Sequence, residues 1–169
     1  MKKAIVNADA GKGWDIFKGS GVDELIHSDG VRIDLADHSL LYISGKTATD
    51  ERGQIVGPGD IKEQTRQVIR NIAKILEANG ATIDDIVRVR VYVTEFDTEK
   101  FCRIHEARAE FFHKAHYPAS TFVVVKGLAR EGALIEIDSD AVIPRRAARV
   151  GSVSAPATRS AKRRPVRSR

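Results

Sequence analysis

Between residues 87 and 94, Val87, Val89, Val91 and Val93 alternate with Arg88, Arg90, Tyr92 and Thr94. Strand side chains point to opposite faces with a period of two, so this run predicts a strand with one buried face. The segments on either side have a different period. Before it, Ile61, Val68, Ile72, Ile75 and Leu76 recur at three, four and seven residues, the spacing of one helix face. Asp60 is placed to cap that helix, with Glu63 at the third helical position as in a capping box. Gly80, after Asn79, is its natural stop. Beyond the valine run a second helix begins near Asp97 and carries Phe101, Ile104, Arg108 and Phe111 at helical spacing, with Pro118 past its end.

Strand patterns surround this centre. Val31 to Leu35 alternates, and Leu40 to Gly45 is mostly apolar and closes on a glycine. Asp50 to Gly53 supplies turn chemistry before Gln54-Ile55-Val56. Thr121 to Val125 is β-branched and aromatic, and Gly127 to Gly132 is a turn. Ala133 to Val142 is the last strand, with Ile135 and Ile137 on one face and Leu134, Glu136 and Asp138 on the other. Ala4-Ile5-Val6 fits a short edge strand. Gly11, Gly13, Gly19 and Gly21 make the following stretch loop-like, with Trp14, Ile16 and Phe17 as candidate anchors. The order predicts an α+β fold, a mixed sheet with two helices packed on one face. The other face also carries apolar side chains and no third layer remains to cover it, so association with further copies is expected.

Composition narrows the class. Of 169 residues, 42% are hydrophobic and 30% charged, as in a soluble globular domain. No apolar run approaches the roughly 18 residues a membrane span needs. The N-terminus is not expected to be a secretory leader. The single cysteine, Cys102, excludes an internal disulfide and a cysteine-based zinc site within one chain, and a reducing cytoplasm is the expected compartment. The net charge of +5 has a local origin. Residues 144–169 hold nine basic side chains and no acid, which leaves 19 Lys and Arg against 23 Asp and Glu in residues 1–143. The folded part is therefore acidic, and residues 144–169 read as a basic, disordered tail. The tail lacks the interleaved aromatics that stack on bases, so nucleic-acid contact is expected only weakly, through its charge.

Several pieces, taken in order, carry a resemblance. They are Leu41-Tyr42-Ile43-Ser44-Gly45, Gln64-Thr65, Asn71-Ile72, Val91-Tyr92-Val93-Thr94 with Phe101, Ala109-Glu110-Phe111-Phe112, Pro118-Ala119 and Ile135-Glu136-Ile137. Through them residues 28–143 resemble the RidA/YjgF family of small trimeric deaminases, with residues 1–27 as an N-terminal extension. The resemblance implies a chorismate-mutase-like fold, a homotrimer and clefts between adjacent subunits. There, well-studied members hydrolyse enamine and imine intermediates to 2-keto acids and ammonia, with no metal or organic cofactor.

Carried over by position, Glu136 falls at the family's water-holding glutamate, and Ser44-Gly45 at its substrate-contacting pair. Ser120 stands where the family usually has an arginine that grips the substrate carboxylate. Phe122 occupies a place often small, and His105 replaces a common asparagine. Ser120 is read in two ways: as a site no longer used for carboxylates, or as a hydroxyl for a different substrate group. Arg32, Arg108 and Lys46 lie near the aligned pocket and are candidates for the missing cation. His113 and His116 are spaced as a metal pair but lack a third ligand. The expected function is a RidA-like hydrolase of an imine, enamine or related small molecule other than the usual short 2-imino acids. One version is an aminomuconate-type deaminase, whose substrate carries two carboxylates. The alternative is a non-catalytic trimer that binds a metabolite or a partner protein in the inherited cleft.

Overall fold

The computed structural model describes residues 1–7 and 27–145. The candidate anchors Trp14, Ile16 and Phe17, and the tail from residue 146 onward, lie outside the described residues. Among the described residues, six strands form one sheet: β1 (Lys2–Val6), β2 (Gly30–Asp34), β3 (His38–Thr47), β4 (Ile86–Val93), β5 (Ala119–Val124) and β6 (Ile135–Pro144). Their spatial order is β1-β2-β3-β6-β4-β5. All neighbours are antiparallel except β4 and β5, which are parallel. A parallel pair needs a long crossover, and α2 (Thr98–Ala109) supplies it. The first helix, α1 (Ile61–Ala78), packs against β3, β6 and α2. The expected mixed sheet with two helices is therefore observed.

The core lies between the sheet and α1. Val68, Ile72 and Leu76 of α1 meet Leu41, Val89, Val91, Val93, Ile135 and Ile137 of the sheet. Burying each of these side chains contributes about 1.5–3 kcal/mol. Gln64 is polar and fully buried in the same layer. Its amide nitrogen donates to the carbonyls of Gly57 and Gly132, and its oxygen accepts from the Leu134 N–H at 2.8 Å. One side chain thus ties two loops to α1 with all its main partners met, which makes its burial tolerable.

Local details differ from the simplest periodic reading. The register of β4 against β6 shifts between Ile86 and Arg88. Ile86 takes the buried place, and Val87 is 48% exposed instead of joining the valine stripe. Asp60 caps α1 by accepting from the N–H groups of Lys62 and Glu63. Glu63 does not return the bond, because its carboxylate is held by Arg66 and Arg70. Gly80 follows the last turn at φ 74°, a left-handed conformation that glycine adopts without steric cost.

The face of the sheet away from the helices carries a mixed surface. Tyr42 is 45% exposed and Val123 39% exposed there. Between them Arg90 of β4 pairs with Asp138 and Asp140 of β6, and the Tyr92 hydroxyl donates to Asp138. No described helix is long and apolar enough to cross a membrane.

Candidate functional site

The chemistry-bearing residues fall into two clusters on opposite faces of the sheet. The first forms where β3 is irregular. Ile43 pairs with Ser139 and Lys46 with Ile137, so Ser44 and Gly45 together face the single residue Asp138. This bulge places the backbone of Gly45 directly under Glu136. A Cβ built on Gly45 would stand 1.8 Å from Glu136 Oε1 and 2.8 Å from its Cδ. The close approach is available only to glycine. The strand end beyond the bulge is held by α1, because Asn71 donates to the carbonyls of Thr47 and Thr49 and Gln67 donates to Thr49. Ser44 donates its hydroxyl to the Ser28 carbonyl at 2.7 Å. Lys46 is paired with Asp29 and is 14% exposed.

Glu136 is half-buried beside these groups. Burial raises its pKa, and the Asp138 charge two residues away adds to the rise, with Lys46 opposing it. The result is a carboxyl that keeps its proton to higher pH than an ordinary glutamate. A carboxyl raised in this way is a better proton acceptor than an ordinary glutamate.

The second cluster lies between α2 and the edge strand β5. Ser120 pairs in register with Val89, and Phe122 with Val91, both on the helix-covered face. They line a cleft of about 580 Å³ together with Phe101, His105, Arg108 and Phe112. The Phe101 ring lies 4.4 Å from that of His105 and 5.3 Å from that of Phe122. Arg108 reaches across from α2, donates to Ser120 Oγ at 3.3 Å and sits 5.8 Å over the Phe112 ring. Burial lowers the Arg108 pKa, and no carboxylate among the described residues pairs with it. Burial, and then the Arg108 charge, also lower the His105 pKa.

Arg32 joins neither cluster. It lies on the helix-covered face, donating to Asp34, to Ser39 and to the carbonyl of Asn79 at the end of α1. Its guanidinium closes a helix terminus and is spent on structure. His113 follows Phe112 in the chain but pairs with Asp84 at 3.6 Å and does not line the second cluster. Position-by-position reasoning passed over the network that surrounds Glu136, namely Arg90, Tyr92 and Asp138. The signal for it was present, since acids at 136, 138 and 140 alternate on β6 opposite arginines at 88 and 90 on β4.

With this geometry in view, the chain can be compared with known proteins. The family profile described as Endoribonuclease L-PSP matches residues 28–143. The chain belongs to the RidA/YjgF family. A RutC family protein of Pyrococcus horikoshii is 39% identical over 101 residues, which are 60% of this chain and 77% of that protein. A crystal structure from Mycobacterium tuberculosis, described as a member of the highly conserved YjgF/YER057c/UK114 family, is 30% identical. It covers 84% of this chain and 100% of its own, with a TM-score of 0.60. TdcF of E. coli, solved with bound serine, is 28% identical and covers 69% of this chain and 87% of its own, with a TM-score of 0.57. Within this RidA/YjgF chain, Arg108 points at Ser120 from the neighbouring helix.

Proposed function

We propose that this protein is a hydrolase of small imines or enamines, working at a site completed between copies of the chain in a homotrimer. The observation that carries the reading is the contact of the Glu136 carboxyl with the bare backbone of Gly45. It supplies an acid/base group beside a surface with no side chain in the way. In the reaction, the Glu136 carboxylate takes a proton from water as the water oxygen bonds to the imine carbon. The proton passes to the nitrogen of the resulting carbinolamine. The Glu136 carboxylate then takes the carbinolamine hydroxyl proton and delivers it to the departing nitrogen as the carbon–nitrogen bond breaks, leaving a carbonyl product and ammonia.

Two clusters on opposite sheet faces cannot hold one small molecule within a single chain. A second copy that sets its β5 edge and α2 against the Gly45–Glu136 corner brings them together. The mixed apolar face around Tyr42 and Val123 favours such packing. The aminomuconate version needs a cation for each carboxylate. Arg108 is available for one, whereas Lys46 is already held by Asp29. The replacement of the family arginine by Ser120 favours a second reading, a trimer that binds a metabolite without turning it over.

The test is ammonia release from a panel of freshly generated imino acids and aminomuconate, by wild type and Glu136→Gln, with the mass measured by light scattering. A mass of three chains and Glu136-dependent ammonia release are expected. Binding without release in the whole panel moves the protein to the second reading.

A further inference from the structure

The cleft between α2 and β5 has a composition that the hydrolytic step does not require. Its floor and walls are aromatic: Phe101, Phe112 and Phe122, with His105 against Phe101. Among the described residues, Arg108 is its one arginine or lysine. A half-buried guanidinium without a carboxylate partner is costly, because charge taken from water must be repaid by a counter-charge or hydrogen bonds. Here one serine hydroxyl and one ring face meet it. Its remaining N–H donors are arranged as a fork that fits two oxygens of one anion.

The charge of that anion follows from the lining. A phosphate would call for further cations, and among the described residues neither a lysine nor a second arginine lines the cleft. Burial and the Arg108 charge both disfavour a second positive charge on His105. A singly charged carboxylate matches one guanidinium. The body attached to it must suit a continuous aromatic wall, in which Phe101 and Phe122 pack edge to face with ring centres 5.3 Å apart.

We propose that Arg108, held by Ser120, is the carboxylate clamp of this protein, and that the Phe101–Phe122 wall selects a carboxylate borne on a flat, unsaturated body. The clamp is thereby carried by the helix and not by the strand, and the space that a strand arginine would fill is open to the ligand. Ser120 is a positioning residue, orienting the guanidinium from beneath. This inference rests on the preceding reading only in taking the cleft as the substrate-binding half of the site.

The experiment is calorimetric binding of non-reactive carboxylates to the full chain. Phenylpyruvate is expected to bind at least about tenfold more tightly than 2-oxobutanoate, through ring contacts added to the same charged bond. Phenylacetamide, which lacks the charge, is expected to bind about 10- to 100-fold more weakly than phenylacetate. Arg108→Gln should remove that preference for the charged ligand, and Arg108→Lys should restore part of it. Phe122→Ala should erase the advantage of phenylpyruvate while leaving 2-oxobutanoate unchanged, a readout that a merely unfolded variant would not give. Equal affinity of wild type and folded Arg108→Gln for phenylacetate overturns the clamp. Equal affinity for phenylpyruvate and 2-oxobutanoate overturns the selection. Binding as expected with no hydrolysis of any imine leaves the clamp standing and removes the hydrolase reading. Glu136-dependent hydrolysis of short imino acids without aryl carboxylate binding does the reverse.

Discussion

The carboxylate of Glu136 occupies the space that a side chain at Gly45 would need, with Oε1 1.8 Å from the position of the absent Cβ. A residue on β6 and a residue on β3 are thereby fitted to each other across the strand pair.

Gly45→Ala forces one of the two to move, and the flexible carboxylate end yields first. We expect turnover to fall about 10²-fold, the cost of a displacement near 1 Å in a catalytic group. Stability should fall by only about 1 kcal/mol, the low end for an inserted methyl. Chemical denaturation alongside steady-state rates separates the two effects. Full activity in Gly45→Ala would show that the carboxylate position is not critical.

Glu136→Gln should lower turnover by about 10²–10⁴-fold, the usual contribution of a general acid/base. Its effect on stability has the opposite sign. Folding raises the Glu136 pKa, so the native protein holds this proton to higher pH than the unfolded chain does. Stability is therefore lost as pH rises from the ordinary glutamate value of 4.5 through the raised native value. At pH 7 the variant should be more stable than wild type, and the gain should vanish below pH 4.5. Melting curves at several pH values check both points.

Asp138 raises the Glu136 pKa and Lys46 lowers it. The acidic limb of the kcat–pH profile should move to lower pH in Asp138→Asn and to higher pH in Lys46→Met. If both variants keep the wild-type limb, the group that titrates in the profile is not Glu136.

Gln64→Ala leaves the Gly57 and Gly132 carbonyls and the Leu134 N–H without their buried partner. Each such group costs about 1–3 kcal/mol, and the truncated side chain adds a cavity. A loss of about 3 kcal/mol or more in urea unfolding is expected. A loss below about 1 kcal/mol would mean that water replaces the amide.

The order of elements was legible in the sequence because it rests on periodicity. Val89, Val91 and Val93 of β4, the apolar face of α1 and the Asp60 and Gly80 boundaries are local signals that the fold obeys, whereas Val87 is not. Candidate site residues could be named from the sequence, but not their arrangement. Glu136, Ser120 and Arg32 were assigned by position to a cleft between subunits, and strand pairing sets Glu136 and Ser120 on opposite faces of the sheet of one chain. Arg32 is drawn to the end of α1 by the Asn79 carbonyl. Which face a side chain takes near an irregularity depends on strand register, and a bulge has no compositional mark beyond a glycine. Arg108 and Ser120 are twelve positions apart, and only the α2–β5 crossover makes them neighbours.

The doubled residue in β3 means that the sheet can close without the corner it carries. Deleting Gly45 lets Ser44 stand alone across from Asp138, while Ile43 keeps Ser139 and Lys46 keeps Ile137. Every rung on either side would survive, and the ladder would become regular. The corner on which the proposed hydrolysis depends is therefore stored as one surplus link in the chain, separable from the architecture by a single excision. A chain with the same sheet and no Gly45–Glu136 corner lies one codon away.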